Sequence, residues 1–156
     1  MNAAKKHEEI QIRAPRVEDA AALARLSTQL GYPATPEQVV ARLDGILPDP
    51  AAVLFVAERA SGGVAGFVHV MHQHLIEYDP FAEIAGLVVD EDCRGLGVGR
   101  ALMARAEAWA LERGCRFVHV RSKISRAAAH AFYESLGYEH FKTQKAFRKN
   151  LYPPKS

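Results

Sequence analysis

The sequence predicts one α/β (α+β) domain, a mixed, mostly antiparallel central sheet of about six to seven strands flanked by about four helices. Three observations carry that expectation. Two segments of helical period stand ahead of a run of β-rich segments; an apolar run then feeds a glycine-rich turn that opens another amphipathic helix; and a further strand follows that helix. With 156 residues, 49% of them hydrophobic, the chain is long enough for one core and short for two, so residues 1–156 are expected to form a single domain.

Glu8–Ala14 alternates around Ile10 and Ile12 and stops at Pro15, as an edge strand would. Ala20, Leu23, Leu26 and Leu30 repeat at helical spacing, with Glu18 and Asp19 favourably placed in the first turn and Gly31 placed to end the helix. Thr35-Pro36-Glu37-Gln38 reads as a capping box with proline at the first helical position; Val39, Leu43, Ile46 and Leu47 give that helix its apolar face, and Pro48 and Pro50 end it. Ala52–Arg59 and Val64–Gln73 are strands joined by the hairpin signal Ser61-Gly62-Gly63, and a looser link through Tyr78-Asp79-Pro80 leads to a strand over Glu83–Asp90. Val98, Leu102, Ala106 and Trp109 mark one face of the next helix, which Gly114 ends. Arg116–Ser122 is the strand after it, and strand, helix, strand in that order imply a parallel crossover. Ser125 is expected to cap a last helix running to Leu136, with Gly137 ending it, and Tyr138–Leu151 reads as a terminal strand pair. Met1–His7 and Tyr152–Ser156 are expected to be flexible ends.

Acids and bases nearly balance at a net charge of +2, which excludes the broad positive field of a protein that coats nucleic acid. The basic excess is local, at Lys142, Lys145, Arg148, Lys149 and Lys155, and suits a solvated strand edge that discourages edge-to-edge pairing. Cys93 and Cys115 make neither a disulfide framework nor a zinc pattern. Met1–Gln11 is charged, without the apolar core of a signal peptide, and no apolar run reaches membrane-spanning length. A cytoplasmic protein with neither membrane nor nucleic acid as partner is the expectation.

Arg94-Gly95-Leu96-Gly97-Val98-Gly99-Arg100 follows the apolar run Ile84–Val89 and opens the helix that runs to Arg113. Glycines let a ligand approach the backbone, the N–H groups of a first helical turn point at anionic oxygen, and two arginines add charge, so the turn suits a pyrophosphate. A nucleotide P-loop needs Gly-Lys before Ser or Thr, whereas Gly99 is followed by Arg100 and Ala101. The dinucleotide fingerprint G-x-G-x-x-G fails at Arg100 counted from Gly95 and at Leu102 counted from Gly97, and it belongs on the first strand of its fold.

What remains is Arg-x-x-Gly-x-Gly, filled by Arg94, Gly97 and Gly99, which resembles the acetyl-CoA-binding motif of the GNAT superfamily of N-acetyltransferases. A second block, His130-Ala131-Phe132-Tyr133-Glu134-Ser135-Leu136-Gly137-Tyr138, is similar to the family's Ala-x-x-Phe-Tyr-x-x-x-Gly-Phe/Tyr stretch, with Ala129 in the alanine place. The two blocks stand in the family's order and separation, and the resemblance runs from about Ile10 to Leu151. The second block and the ending Phe147–Leu151 look like small bacterial members of an aminoglycoside-acetyltransferase-like subgroup. Where members usually carry Asn three residues before the alanine, this chain has Arg126, which reads equally as a guanidinium for a CoA phosphate or pantetheine carbonyl and as an exposed first-turn residue.

The resemblance implies acetyl-CoA-dependent transfer of an acetyl group to a primary amine, on a small molecule or a peptide, by direct attack in a ternary complex, with acetyl-CoA as co-substrate and no metal. It places CoA against Leu87, Val88 and Val89, against the turn residues Arg94, Gly95, Leu96, Gly97, Val98, Gly99 and Arg100, and against Arg126, Ala129, Phe132 and Tyr133. A backbone N–H of the strand before the turn would hold the thioester oxygen, where charge develops. Tyr133 matches the family's general acid for the departing thiolate; Arg126, His130 and Tyr133 share a helix face. Glu83, a carboxylate in an otherwise apolar strand, is the candidate base, directly or through water, and reads alternatively as a strand-start residue facing solvent. Neither cysteine stands with a histidine and an orienting group, which disfavours an acyl-enzyme. Dimerisation through the terminal strands is implied by the resemblance alone.

His69, His72 and His74 invite a metal, but on a strand His72 and His74 share a face opposite to that of His69, and no carboxylate or cysteine completes the set. His72 and His74, with Glu77 and Asp79, suit a polar rim; Tyr32, Pro33 and Thr35 fall where the family's acceptor-side loop lies. A non-catalytic CoA-binding module for regulation or interaction is the alternative reading, and neither motif names the acceptor.

Overall fold

The computed structural model describes residues 8–152, so the expected flexible ends lie outside it except for Tyr152. The chain divides into two compact units, residues 1–121 and 122–156. The first unit holds, in order, β1 (Ile10–Arg13), α1 (Ala20–Leu30), α2 (Pro36–Ile46), β2 (Ala52–Arg59), β3 (Val64–Gln73), β4 (Phe81–Val89), α3 (Val98–Glu112) and β5 (Val118–Val120). Its five strands form one sheet in the order β1-β2-β3-β4-β5, antiparallel throughout except that β4 and β5 run parallel. The expected class is therefore observed, and the parallel crossover through α3 with it.

Helices cover both faces. Leu23, Ala24 and Leu26 of α1 and Val39 and Leu43 of α2 join Leu54, Val56, Val64 and Val88 of the sheet in one apolar cluster. Burying each of the larger side chains contributes about 1.5–3 kcal/mol. On the other face α3 buries Leu102, Met103, Ala106 and Trp109, and the Arg105 guanidinium lies 4.4 Å over the Phe55 ring. Gly66 has no room for a side chain: a Cβ there would stand 2.5 Å from the Val88 carbonyl oxygen of β4 and 3.2 Å from Leu102 Cδ1 of α3. The capping box of α2 forms, with Thr35 Oγ1 accepting from the Gln38 N–H at 3.1 Å and Gln38 Oε1 accepting from the Thr35 N–H at 3.0 Å. Its buried face is narrower than expected, because Leu47 lies past the helix end and is 49% exposed.

Asp19 is a buried carboxylate clamped to Arg13. Its two oxygens accept from both terminal nitrogens of Arg13 at 2.8 and 2.9 Å, and Oδ2 also accepts the Arg16 N–H at 2.7 Å, while Arg13 Nε donates to Glu58. The Arg13 hydrogen bonds, ahead of the backbone N–H, hold the Asp19 carboxyl below its ordinary value against the opposing effect of burial. A depressed carboxyl stabilises the fold above the unfolded-state value of about 3.9 and loses that contribution as pH falls through the folded-state value. Asp19→Asn should therefore cost about 2–3 kcal/mol at pH 7, somewhat under the usual loss for a broken buried pair because Glu58 remains. In urea titrations the gap between variant and parent should close as the pH is lowered below about 4; a gap that stays constant would refute the assignment.

The second unit holds α4 (Ala127–Ser135). Two expectations fail here. Ser125 does not cap α4: it sits in a turn closed by the Arg126 N–H on the Lys123 carbonyl at 3.0 Å, and Arg126 takes the N-cap position with no side-chain cap bond. Tyr138–Leu151 forms no strand pair, so the described sheet has five strands rather than six or seven. Phe141, Phe147 and Leu151 share a parity, but Thr143, Lys145 and Lys149 interleave on it, so no continuous apolar face rewards pairing. Phe147 and Leu151 are accordingly 91% and 87% exposed.

Candidate active site

The site in the first unit begins where β4 and β5 part. Their pairing covers only Ala82–Ile84 against Val118–Val120, whereas β4 continues to Val89 paired with β3 alone. The register against β3 slips between His69 and Val70, leaving Ala85 as an extra, exposed residue at the point where the parallel pairing stops. Along Ala85–Val89 the edge of β4 turned towards β5 has no strand partner among the described residues. Such an edge offers N–H and C=O groups to an extended chain carrying amides. Leu87 and Val89 are half-buried and Val88 buried, so their side chains pack and what this stretch leaves open is its backbone edge.

That edge leads directly into the glycine turn. Gly95 and Gly97 both have φ of +80°, with nothing within 4 Å of a Cβ at either position, so the turn is open on its outer side. Gly97 is the N-cap of α3 and brings no side-chain cap; the first helical bond is Ala101 N–H to the Gly97 carbonyl at 3.0 Å. The N–H groups of Val98, Gly99 and Arg100 precede that bond and face outward at the positive end of a helix of 15 residues. Val98 and Gly99 are buried, Leu96 is half-buried, and Arg94 and Arg100 are exposed. Residues missed in the sequence hold this turn in place: Arg25 of α1 pairs with Asp90 at 3.0 Å, and Gln29 accepts the Glu91 N–H at 3.1 Å.

Glu83 lies on the sheet face opposite α3. It pairs across β3 with Met71 and across β5 with His119, and its side chain is 17% exposed, so it is neither core nor freely solvated. Gln73 Nε2 donates to one carboxylate oxygen at 3.2 Å and Arg121 Nε lies 3.0 Å from the other. Beside it Phe81 stacks on Phe117 at 5.2 Å, His119 tilts against Phe117 at 4.7 Å, and Tyr78 closes edge-on to His119 at 5.3 Å. Gln73, Arg121 and this aromatic wall were not foreseen; the matching parity of Glu83, His119 and Arg121 was the available signal.

In the second unit α4 carries the remaining predicted residues. The Tyr133 ring packs against Phe132 at 5.3 Å and Tyr138 at 6.0 Å, and Ala129 is half-buried. Burial pushes the Tyr133 phenol up, and the charge of Arg126 acts in the opposite sense. His130 shares the helix but its Nε2 is engaged by the Lys123 carbonyl at 2.8 Å. The His72 and His74 rings lie tilted against each other at 4.5 Å with His72 edge-on to Trp109, while His69 pairs with Leu54 on the opposite face; no group of at least three potential metal ligands converges among the described residues. Burial pushes both the Cys93 and Cys115 thiols up, so neither is poised as a thiolate.

Residues 18–138 match the acetyltransferase (GNAT) family. The chain belongs to that family. The acetyltransferase is 33% identical over 146 residues to an aminoglycoside N(6')-acetyltransferase type 1 of Stenotrophomonas maltophilia, covering 91% of this chain and 94% of that one. It is also 34% identical over 124 residues to an aminoalkylphosphonate N-acetyltransferase of Salmonella typhimurium, covering 78% of this chain and 77% of the relative. Among solved structures, an aminoglycoside N-acetyltransferase AAC(6')-Iy in complex with CoA superposes with a TM-score of 0.80 at 21% identity, over 94% of this chain and 99% of that one, which establishes the shared fold. The protein is an acetyl-CoA-dependent N-acetyltransferase. No helix among the described residues is long and apolar enough to cross a membrane.

Proposed function

We propose that residues 1–156 act as one catalytic domain that moves an acetyl group from acetyl-CoA directly to a primary amine of a small molecule. The observation that carries this is the unpartnered edge of β4 running into the uncapped start of α3. Leu87, Val88 and Val89 pair with the pantetheine amides, and one of their N–H groups holds the thioester oxygen as negative charge builds on it. The N–H groups of Val98, Gly99 and Arg100, with the side chains of Arg94 and Arg100, hold the pyrophosphate across Gly95, Leu96 and Gly97. From the second unit the family pattern assigns Arg126, Ala129, Phe132 and Tyr133 to the same donor. Both units belong to this reading because the family match crosses the division between them.

Glu83 takes the proton of the incoming ammonium, directly or through water; the freed amine attacks the carbonyl carbon, the carbon–nitrogen bond forms, the carbon–sulfur bond breaks, and Tyr133 gives the leaving thiolate its proton. The thiols of Cys93, which is buried, and Cys115, which is half-buried, are both pushed up, which supports direct attack over an acyl-enzyme. Relatives named for aminoglycosides and for aminoalkylphosphonates support a small-molecule acceptor, and two free cysteines suit a cytoplasmic setting. Thiol release from acetyl-CoA, followed with a chromogenic thiol reagent over a panel of amines, should depend on the amine supplied and leave no acetyl group on the protein. Release that no amine stimulates would overturn the proposal.

A further inference from the structure

Glu83 does not stand alone as an acceptor-side carboxylate. Arg121 reaches it through Nε at 3.0 Å, and the Arg121 side chain is 78% exposed, so the guanidinium remains open to solvent while it holds the carboxylate. Gln73 occupies the other oxygen of Glu83 by one hydrogen bond, which leaves lone pairs on both oxygens for a further donor. The result is an anion and a guanidinium side by side, on a face walled by Tyr78, Phe117 and His119.

We propose that this pair selects a zwitterionic acceptor: a compact primary amine carrying an anionic carboxylate or phosphonate a short carbon spacer away. The inference rests on the reading of Glu83 as the acceptor-side base. An ammonium seated on Glu83 brings a neighbouring anion within reach of the terminal nitrogens of Arg121, whose planar fork matches two oxygens of a carboxylate or phosphonate. A plain alkylamine uses half of the arrangement. A polycation meets a carboxylate already neutralised by Arg121 and brings further positive charge towards the guanidinium; the exposed Glu77 and Asp79 of the β3–β4 loop are the other anions adjoining this wall in sequence. Arg121 is thus a specificity-determining residue, and it positions the Glu83 carboxylate as well.

The test compares kcat/KM for glycine and aminomethylphosphonate with that for methylamine and for a polycationic aminoglycoside such as neamine, in the parent, Arg121→Met and Arg121→Lys. The parent should prefer one or both zwitterions to methylamine by about tenfold or more, as expected for a charge-assisted contact. Arg121→Met should collapse that ratio through KM of the zwitterion, and Arg121→Lys should restore part of it; the glycine and phosphonate arms tell the two anions apart. Thermal melts of both variants separate this outcome from misfolding, since only loss of the ratio in a folded protein counts as support. Turnover fastest with methylamine or the polycation, or a ratio indifferent to Arg121, would overturn the inference while leaving acetyl transfer intact. Absence of transfer to every amine, with CoA binding retained in calorimetry, would instead overturn the reading on which it rests.

Discussion

Tyr133→Phe should lower kcat for acetyl transfer by about 100- to 1,000-fold, the range for loss of a positioned general acid, while the KM for acetyl-CoA moves little. The departing group is a thiolate whose conjugate acid lies near the ordinary thiol value of about 8.5, so at neutral pH its departure is aided by a proton or a strong hydrogen bond. Tyr133 is equipped to give one. Burial raises its phenol above the ordinary value of 10.0, and a raised acid keeps its proton to higher pH, so the donor form persists through the whole working range. The basic limb due to this group should therefore lie above pH 10 in the parent and be missing in the Phe variant. Phe keeps the ring that packs on Phe132 and Tyr138, so a residue that served packing alone would leave kcat unchanged. The size of kcat at neutral pH decides between the two, and steady-state profiles carried above pH 10 test the limb.

Much of the fold is legible wherever local chemistry and tertiary packing agree. The Thr35-Pro36-Glu37-Gln38 box encodes its own hydrogen bonds, Gly31 ends α1 in the left-handed region at φ +105°, and β2 and β3 occupy the residues their pattern marks. Elements defined by a distant partner are less legible. β4 begins at Phe81 rather than Glu83 because Phe81 pairs with Gln73, and β5 shrinks to Val118–Val120 because β4 bends away after Ile84. The extra residue at Ala85 leaves no mark in the sequence, although it is what separates the two parallel strands. Ser125 looks like a cap by residue type, yet the Lys123–Arg126 turn carries the chain one residue further before the helix starts.

The same division runs through the site. The glycine turn is readable because the features that suit it to a pyrophosphate belong to contiguous backbone: positive φ at Gly95 and Gly97 and the uncapped first-turn N–H groups beyond them. The surroundings of Glu83 are set by register. Gln73 and Arg121 come from two different strands, and only the pairing of β3, β4 and β5 brings them to one carboxylate. Arg25 and Gln29 likewise reach the Asp90–Glu91 turn from α1, across a separation that no local pattern spans.

Glu83→Gln should reduce kcat/KM by about 100-fold or more at pH 7 with little change in stability. The amide keeps the shape of the carboxylate and its place beside Gln73, and the ion pair it abolishes has a partner that is 78% exposed, a setting in which such pairs contribute about 0–1 kcal/mol. What is lost is the acceptor for the ammonium proton. The deficit should consequently shrink as pH rises. An amine with an ordinary value of about 10 gains roughly tenfold in its free-base fraction per pH unit below that value, which helps an enzyme without a base more than one that has it. A folded variant that matches the parent at pH 7 would remove Glu83 from the chemistry, and an equal deficit at every pH would assign it to acceptor binding alone. Parallel melts and pH–rate profiles on the same preparations separate these outcomes, because a stability defect moves the melt, a binding defect moves KM at all pH values, and a lost base moves the slope of the profile.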